Sequence, residues 1–274
     1  MPVEKIDQGD ADHPGNVFYL EEPCTGASSV VLLHGLGATS ASWQLQTPEI
    51  AHWGYRVLVP DLPGFGQSTW GSGLRWSIPG VTRRLACFLE RVGSGSAIVV
   101  GISMGGAIAL QLALDHPQLV KQIALVNTFA CLRPRRLSEW TYYLRRFALV
   151  SFNGLPAQAE FIALRLFPEP KQEELRRALI EEVLQSNLSA YRRAMLALAF
   201  FDVSRRLRTI HIPSIVITGS NDTTVPPEVQ ARLARGISSA RRVIIAGAGH
   251  AVTADHPREF NAALKDWILD PSAA

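Results

Sequence analysis

Ala97-Ile-Val-Val-Gly-Ile-Ser-Met-Gly-Gly-Ala-Ile-Ala-Leu110 decides how this chain folds. Its first four residues are apolar throughout, the pattern of a strand covered on both faces. Its last residues are small and apolar, the pattern of a helix packed all round. Between them, Gly101-Ile-Ser103-Met-Gly105 fits the G-x-S-x-G turn from strand to helix. Such a turn strains the serine backbone and leaves no room for side chains two residues before and after it. The helix then starts with free N–H groups aimed at any developing negative charge. From Ala97 to Leu114 there are 18 residues without a charge, the lower limit of a membrane span. The glycines, Ser103 and Gln111 divide that run into strand and helix, so no membrane span is expected.

Working outward, short runs of Val, Ile and Leu read as further buried strands. They are Ser29–Leu33, Tyr55–Val59, Gln122–Val126, Ser214–Thr218 and Arg242–Ala246, with Phe18–Glu22 an antiparallel edge strand. Each of the parallel runs is expected to be covered on both faces. Helical stripes lie between them: Ile78, Val81, Leu85, Phe88, Leu89 and Val92, then Phe260, Ala263, Leu264, Trp267 and Ile268. Asp255 is a candidate N-cap for the last helix, and Thr224 for a helix at Pro226–Arg235 ended by Gly236. Strand–helix alternation of this kind predicts a mainly parallel sheet with helices on both faces.

The alternation stops between residues 129 and 207. That segment carries only helical stripes, such as Leu137, Trp140, Leu144 and Phe147, punctuated by Pro156, Pro168 and Pro170. It reads as an all-helical lid over one edge of the sheet. The domain expectation is a core built from 1–128 and 208–274, with 129–207 as the cap.

Composition narrows the function class. Of 274 residues, 47% are hydrophobic and 19% charged, which suits a large core and excludes a disordered chain. A net charge of +3 gives no electrostatic case for nucleic acid. Cys24, Cys87 and Cys131 match neither a disulfide framework nor a zinc site; buried, reduced thiols are expected. With no signal-peptide pattern in Met1–Asp10, the expectation is a cytoplasmic protein.

A serine nucleophile needs a base, and the base needs an orienting acid. His250 stands in Gly247-Ala-Gly-His-Ala directly after a strand, at the C-terminal sheet edge where such folds do their chemistry. Asp222 follows the Ser214–Thr218 strand at the same edge. The chain order is Ser103, Asp222, His250. An oxyanion hole needs two backbone donors. Met104 N–H comes with the turn. Leu36 N–H, in His34-Gly-Leu-Gly37 after the Ser29–Leu33 strand, is the expected second, with His34 bracing the loop. Asp61-Leu-Pro-Gly-Phe-Gly-Gln-Ser68 lacks the Gly-Lys-Ser/Thr ending of a phosphate loop and reads as a tight structural loop.

With His34-Gly35, Asp61 to Ser68, Gly101 to Gly105, Asp222 and His250 in this order, the chain resembles the α/β-hydrolases over nearly its whole length outside the lid. The resemblance implies an eight-stranded, mostly parallel sheet, a cap inserted after the sixth strand, and a Ser-His-Asp mechanism without cofactor or metal. Within that superfamily it is similar to small carboxylesterases, 3-oxoadipate enol-lactonases and carbon–carbon hydrolases of ring-cleavage products. A serine at 103 separates it from haloalkane dehalogenases and epoxide hydrolases, whose nucleophile there is aspartate.

The expected activity is therefore hydrolysis of small, largely apolar carboxylic esters or lactones through an acyl-enzyme. The alternatives are carbon–carbon bond hydrolysis of diketo acids and a small-ligand receptor that keeps a slow triad. Trp140, Leu144, Phe161, Leu164, Met195, Leu198 and Phe201 are the candidate pocket residues from the lid. The sequence sets no oligomeric state.

Overall fold

The apolar runs become strands in the computed structural model, which describes residues 3–7, 16–24, 28–69, 76–132 and 137–270. The strands are β1 (Val3–Asp7), β2 (Asn16–Glu22), β3 (Ser29–Leu33), β4 (Arg56–Pro60), β5 (Ala97–Ile102), β6 (Val120–Val126), β7 (Ser214–Gly219) and β8 (Ala240–Ile245). They form one sheet in the order β1-β2-β4-β3-β5-β6-β7-β8. β1 and β2 pair antiparallel, as do β2 and β4; every other pair is parallel. Strand order reverses at β3, whose neighbours are β4 and β5. The loops leaving β3 and β5 therefore diverge and open a crevice at the C-terminal edge.

The helices are α1 (Thr47–His52), α2 (Ile78–Arg91) and α3 (Met104–Asp115), then α4 (Leu137–Ala148), α5 (Gly154–Leu166), α6 (Glu173–Leu184) and α7 (Leu188–Ala199) between β6 and β7, and finally α8 (Pro227–Gly236), α9 (Val252–Asp255) and α10 (Pro257–Ile268). Side chains alternate across the strands. Val31, Leu33, Val99 and Leu125 face one core, shared with α2, α3 and the cap helices. Val30, Leu32, Val100 and Val126 face the other, shared with Phe260, Leu264 and Trp267 of α10. The charge-free stretch is split between β5 and α3, both buried.

Several expectations change. β8, at the edge of the sheet, is covered only in part: Arg241 is exposed and Ile244 is 55% exposed. Thr224 does not cap α8, which starts after Pro226; its N–H is taken by Asp222 instead. Asp255 ends α9 and accepts from Gly249 N–H, so His256 is the N-cap of α10. None of the three cysteines is in a disulfide, and none is buried: Cys87 is exposed on α2, and Cys24 and Cys131 are half-buried.

The cap differs from expectation in which side it buries. Leu137, Trp140, Leu144 and Phe147 do form one stripe of α4, but it faces solvent at 80%, 52%, 63% and 40% exposure. The inward side belongs to Arg146, whose Nη2 donates to Tyr191 Oη (3.3 Å), and to Val150 in the π-helical turn Leu149–Asn153. The run Trp140–Leu166 is long and apolar enough to cross a membrane; that turn and three arginines interrupt it.

Candidate active site

Ser103 sits at the junction of β5 and α3 with φ 54° and ψ −113°. A non-glycine residue at positive φ is strained and persists only where its surroundings hold it. Here the Ser103 N–H donates to Val126 O (2.9 Å) and its carbonyl accepts from Thr128 Oγ1 (2.6 Å). The two turn glycines are required by contact. A Cβ on Gly105 would lie 2.1 Å from Leu33 O, and one on Gly101 would lie 2.4 Å from Gly105 O. Met104 opens α3, so its N–H is one of the helix-terminal donors without an intrahelical acceptor.

Asp222 and His250 come together at the ends of β7 and β8. His250 Nδ1 lies 2.9 Å from Asp222 Oδ2, with both side chains nearly excluded from solvent. The carboxylate is fully occupied. Oδ1 accepts from the N–H groups of Thr224 (2.8 Å) and Val225 (2.9 Å), and Oδ2 also accepts from Gln230 Nε2 (3.1 Å). An anion at Nδ1 directs the ring to carry its proton there, leaving Nε2 as the basic nitrogen. The Ser103 hydroxyl itself makes no hydrogen bond among the described residues. Such bonds often tighten only when substrate is bound.

One buried side chain links the three parts of the site. Asn127, immediately after β6, has φ 43° and no exposure. Its Nδ2 donates to Gly249 O (2.9 Å) and His250 O (2.8 Å), and its Oδ1 accepts from Gly219 N–H (2.8 Å). It thus ties the loop carrying the histidine to the strand leading to the acid. Its neighbour Val126 holds Ser103. Sequence reading passed over Asn127 and Gln230. The available signal for Asn127 was a polar pair, Asn127-Thr128, ending an apolar strand at the functional edge.

The loop after β3 lies against the serine: a Cβ on Gly35 would be 3.7 Å from Ser103 Cβ. Leu36 follows, half-buried against the core, in a turn closed by Ala38 N–H to Gly35 O (3.2 Å). His34 is fully buried. Nδ1 donates to Gly35 O (2.8 Å) and Nε2 accepts from Leu62 N–H (2.8 Å), so the ring spans two loops as a neutral tautomer. Burial holds its pKa below the ordinary value, against the pull of Asp61 and of Gly35 O. Asp61 accepts from Ser40 N–H (2.6 Å) and Gln67 N–H (2.8 Å), giving the Asp61–Ser68 loop an internal frame.

The lid residues singled out by sequence divide. Leu198 and Phe201 are buried in the same core as the sheet, with the Phe201 ring 6.4 Å from that of Phe129. Met195 packs against that core. Phe161 lies beneath the Arg145 guanidinium, 4.6 Å away. Trp140, Leu144 and Leu164 are more than half exposed. The helical segment between β6 and β7 also touches two loops of the core. Arg165 Nη2 donates to Thr223 O (2.7 Å), next to Asp222, and Asn187 N–H donates to Gly64 O (2.8 Å).

A family model described as alpha/beta hydrolase fold matches residues 28–257. The chain is similar to "Putative carbamate hydrolase RutD" of Variovorax paradoxus, at 30% identity over 261 residues, 93% of this chain and 97% of the relative. It is also similar to the pimeloyl-acyl-carrier-protein methyl ester esterase of Aeromonas hydrophila, at 29% identity over 87% of this chain and 94% of that one. Among solved structures, a thermophilic esterase from Thermogutta terrifontis superimposes with a TM-score of 0.82 at 26% identity, covering 98% of each chain. The enol-lactonase of Burkholderia xenovorans LB400 shares the fold, with a TM-score of 0.85 at 23% identity over 93% of this chain and 97% of that one.

Proposed function

The chain belongs to the alpha/beta hydrolase fold family and is a hydrolase of ester-type bonds, and from that premise we propose a Ser103–His250–Asp222 mechanism on small, largely apolar carboxylic esters or lactones. Ser103 Oγ attacks the substrate carbonyl carbon as His250 Nε2 takes its proton. The carbonyl oxygen becomes an oxyanion that accepts hydrogen bonds from Met104 N–H and Leu36 N–H. His250 returns its proton to the leaving alkoxide, leaving an acyl-serine. It then takes a proton from water, whose oxygen attacks the acyl carbon, and Ser103 is restored. Asp222 stays ionised throughout and stabilises the imidazolium.

The observation that carries this reading is the buried Asp222–His250 contact of 2.9 Å at the edge where strained Ser103 stands. Residues 129–207 act as the cap, and Met195, Leu198 and Phe201 on its core side favour acyl groups of short to medium length over polymers. Carbamates are a second substrate class, favoured by the name of the Variovorax relative; their carbonyl is open to the same attack. Three cysteines held in no disulfide fit a cytoplasmic location.

Hydrolysis of p-nitrophenyl acetate and butyrate by wild type and Ser103→Ala tests the assignment. The variant should lose about 10⁴-fold or more in kcat. Equal rates for the two proteins contradict it.

A further inference from the structure

Glu182 of the cap reaches the loop that carries Leu36, and the mechanism above gives it no role. Its Oε2 accepts two hydrogen bonds from Thr39, from the N–H (2.6 Å) and from Oγ1 (3.1 Å), across 143 residues of sequence. The next residue, Val183, and Tyr191 of α7 press on Gly37, where a Cβ would lie 2.9 Å from each. Gly37 has φ 83°, a conformation that suits glycine. On the opposite side, Asp61 takes Ser40 N–H and His34 bonds Gly35 O. Leu36 thus sits in a short loop held by the core on one side and by α6 and α7 on the other.

We propose that Glu182 is a positioning residue, holding the β3 loop so that Leu36 N–H is aimed into the oxyanion hole and the hole is complete only with the cap seated. The proposal rests on the reading of Ser103 and Leu36 given above. Tyr191 and Val183 supply shape, but Glu182 supplies the charged acceptor that orients the loop backbone.

Its electrostatics supply a signature. Burial pushes the Glu182 carboxyl up to about 7, the Thr39 bonds pull it down, and the negative charge of Asp61 adds to the rise. Asp61 is the charged group facing it from the core, with His34 beyond kept neutral; Arg146 of α4 turns to Tyr191 instead. Among the described residues, α5 and α7 bring no charge that shifts it. The ionised form therefore holds the loop above about pH 7 and is lost below it. Stability runs the other way. A folded-state pKa raised above the ordinary 4.5 means that stability is highest below 4.5 and declines until pH passes about 7.

The test compares Glu182→Gln, Glu182→Ala and the exposed control Glu181→Gln with wild type on p-nitrophenyl butyrate from pH 6 to 8.5, with Ser103→Ala as the dead reference. At pH 8, Glu182→Gln should lower kcat about tenfold while KM moves less than about twofold, a fraction of the loss from deleting an oxyanion donor. Glu182→Ala should lose more. The wild-type to Glu182→Gln ratio should shrink toward one at pH 6, where the wild-type carboxyl is also neutral. Glu182→Gln should melt no lower than wild type at pH 8, and Glu181→Gln should change nothing. A Glu182→Gln enzyme with wild-type kcat at pH 8, or a loss of kcat that is independent of pH and tracks a lower Tm, overturns the proposal. An active Ser103→Ala overturns the parent reading instead.

Discussion

Helices α3 and α4 have the same length, twelve residues, and opposite fates. Met104 through Ala113 of α3 are all buried, although their sequence has no polar face at all. α4 has a clear apolar stripe, yet that stripe faces water while Arg146 turns inward. Position explains the difference. α3 leaves the centre of the sheet and is closed in by β3, β5, β6 and α2. α4 sits outside the sheet, where only neighbouring cap helices can cover it. Periodicity says which face of a helix is apolar; only the three-dimensional neighbours decide what covers that face.

If the sheet edge carries the chemistry and the cap covers it, substitutions in the two regions should separate widely. Of three substitutions that separate them, Asp222→Asn should have the largest effect, about 10⁴-fold in kcat with the fold intact, because an amide stabilises neither the required tautomer nor the imidazolium. Stopped-flow kinetics with circular dichroism would check this; a loss below tenfold would move the acid elsewhere. Next, Leu110→Ala in α3 should cost about 3 kcal/mol of stability, read by urea unfolding, since it empties a site with no exposure. Smallest of all, Leu144→Ala on the exposed stripe should stay within about 0.5 kcal/mol. Similar costs for the two leucines would mean that the α4 stripe is covered in solution.

The same contrast marks how far the sequence could be read. The strand-to-helix turn at Ser103 was legible because its requirements are local: a strand, a helix, and two glycines whose replacement would collide with Leu33 O and Gly105 O. His250 and Asp222 were legible because parallel strands end at one edge, so residues just after them share that edge. Asn127, Gln230 and Glu182 were not legible. Each bonds to partners up to 143 residues away in sequence, and no spacing rule selects one such amide or acid among many. The outward stripe of α4 was misread for the same reason: its pattern matches that of a buried helix.

Labelling with a fluorophosphonate, followed by peptide mass spectrometry, tests the activated serine most directly. The result expected is one adduct on the peptide containing Ser103, absent from Ser103→Ala and formed far more slowly in His250→Gln. An adduct on a different residue, or full hydrolytic activity with no adduct at Ser103, would contradict the account.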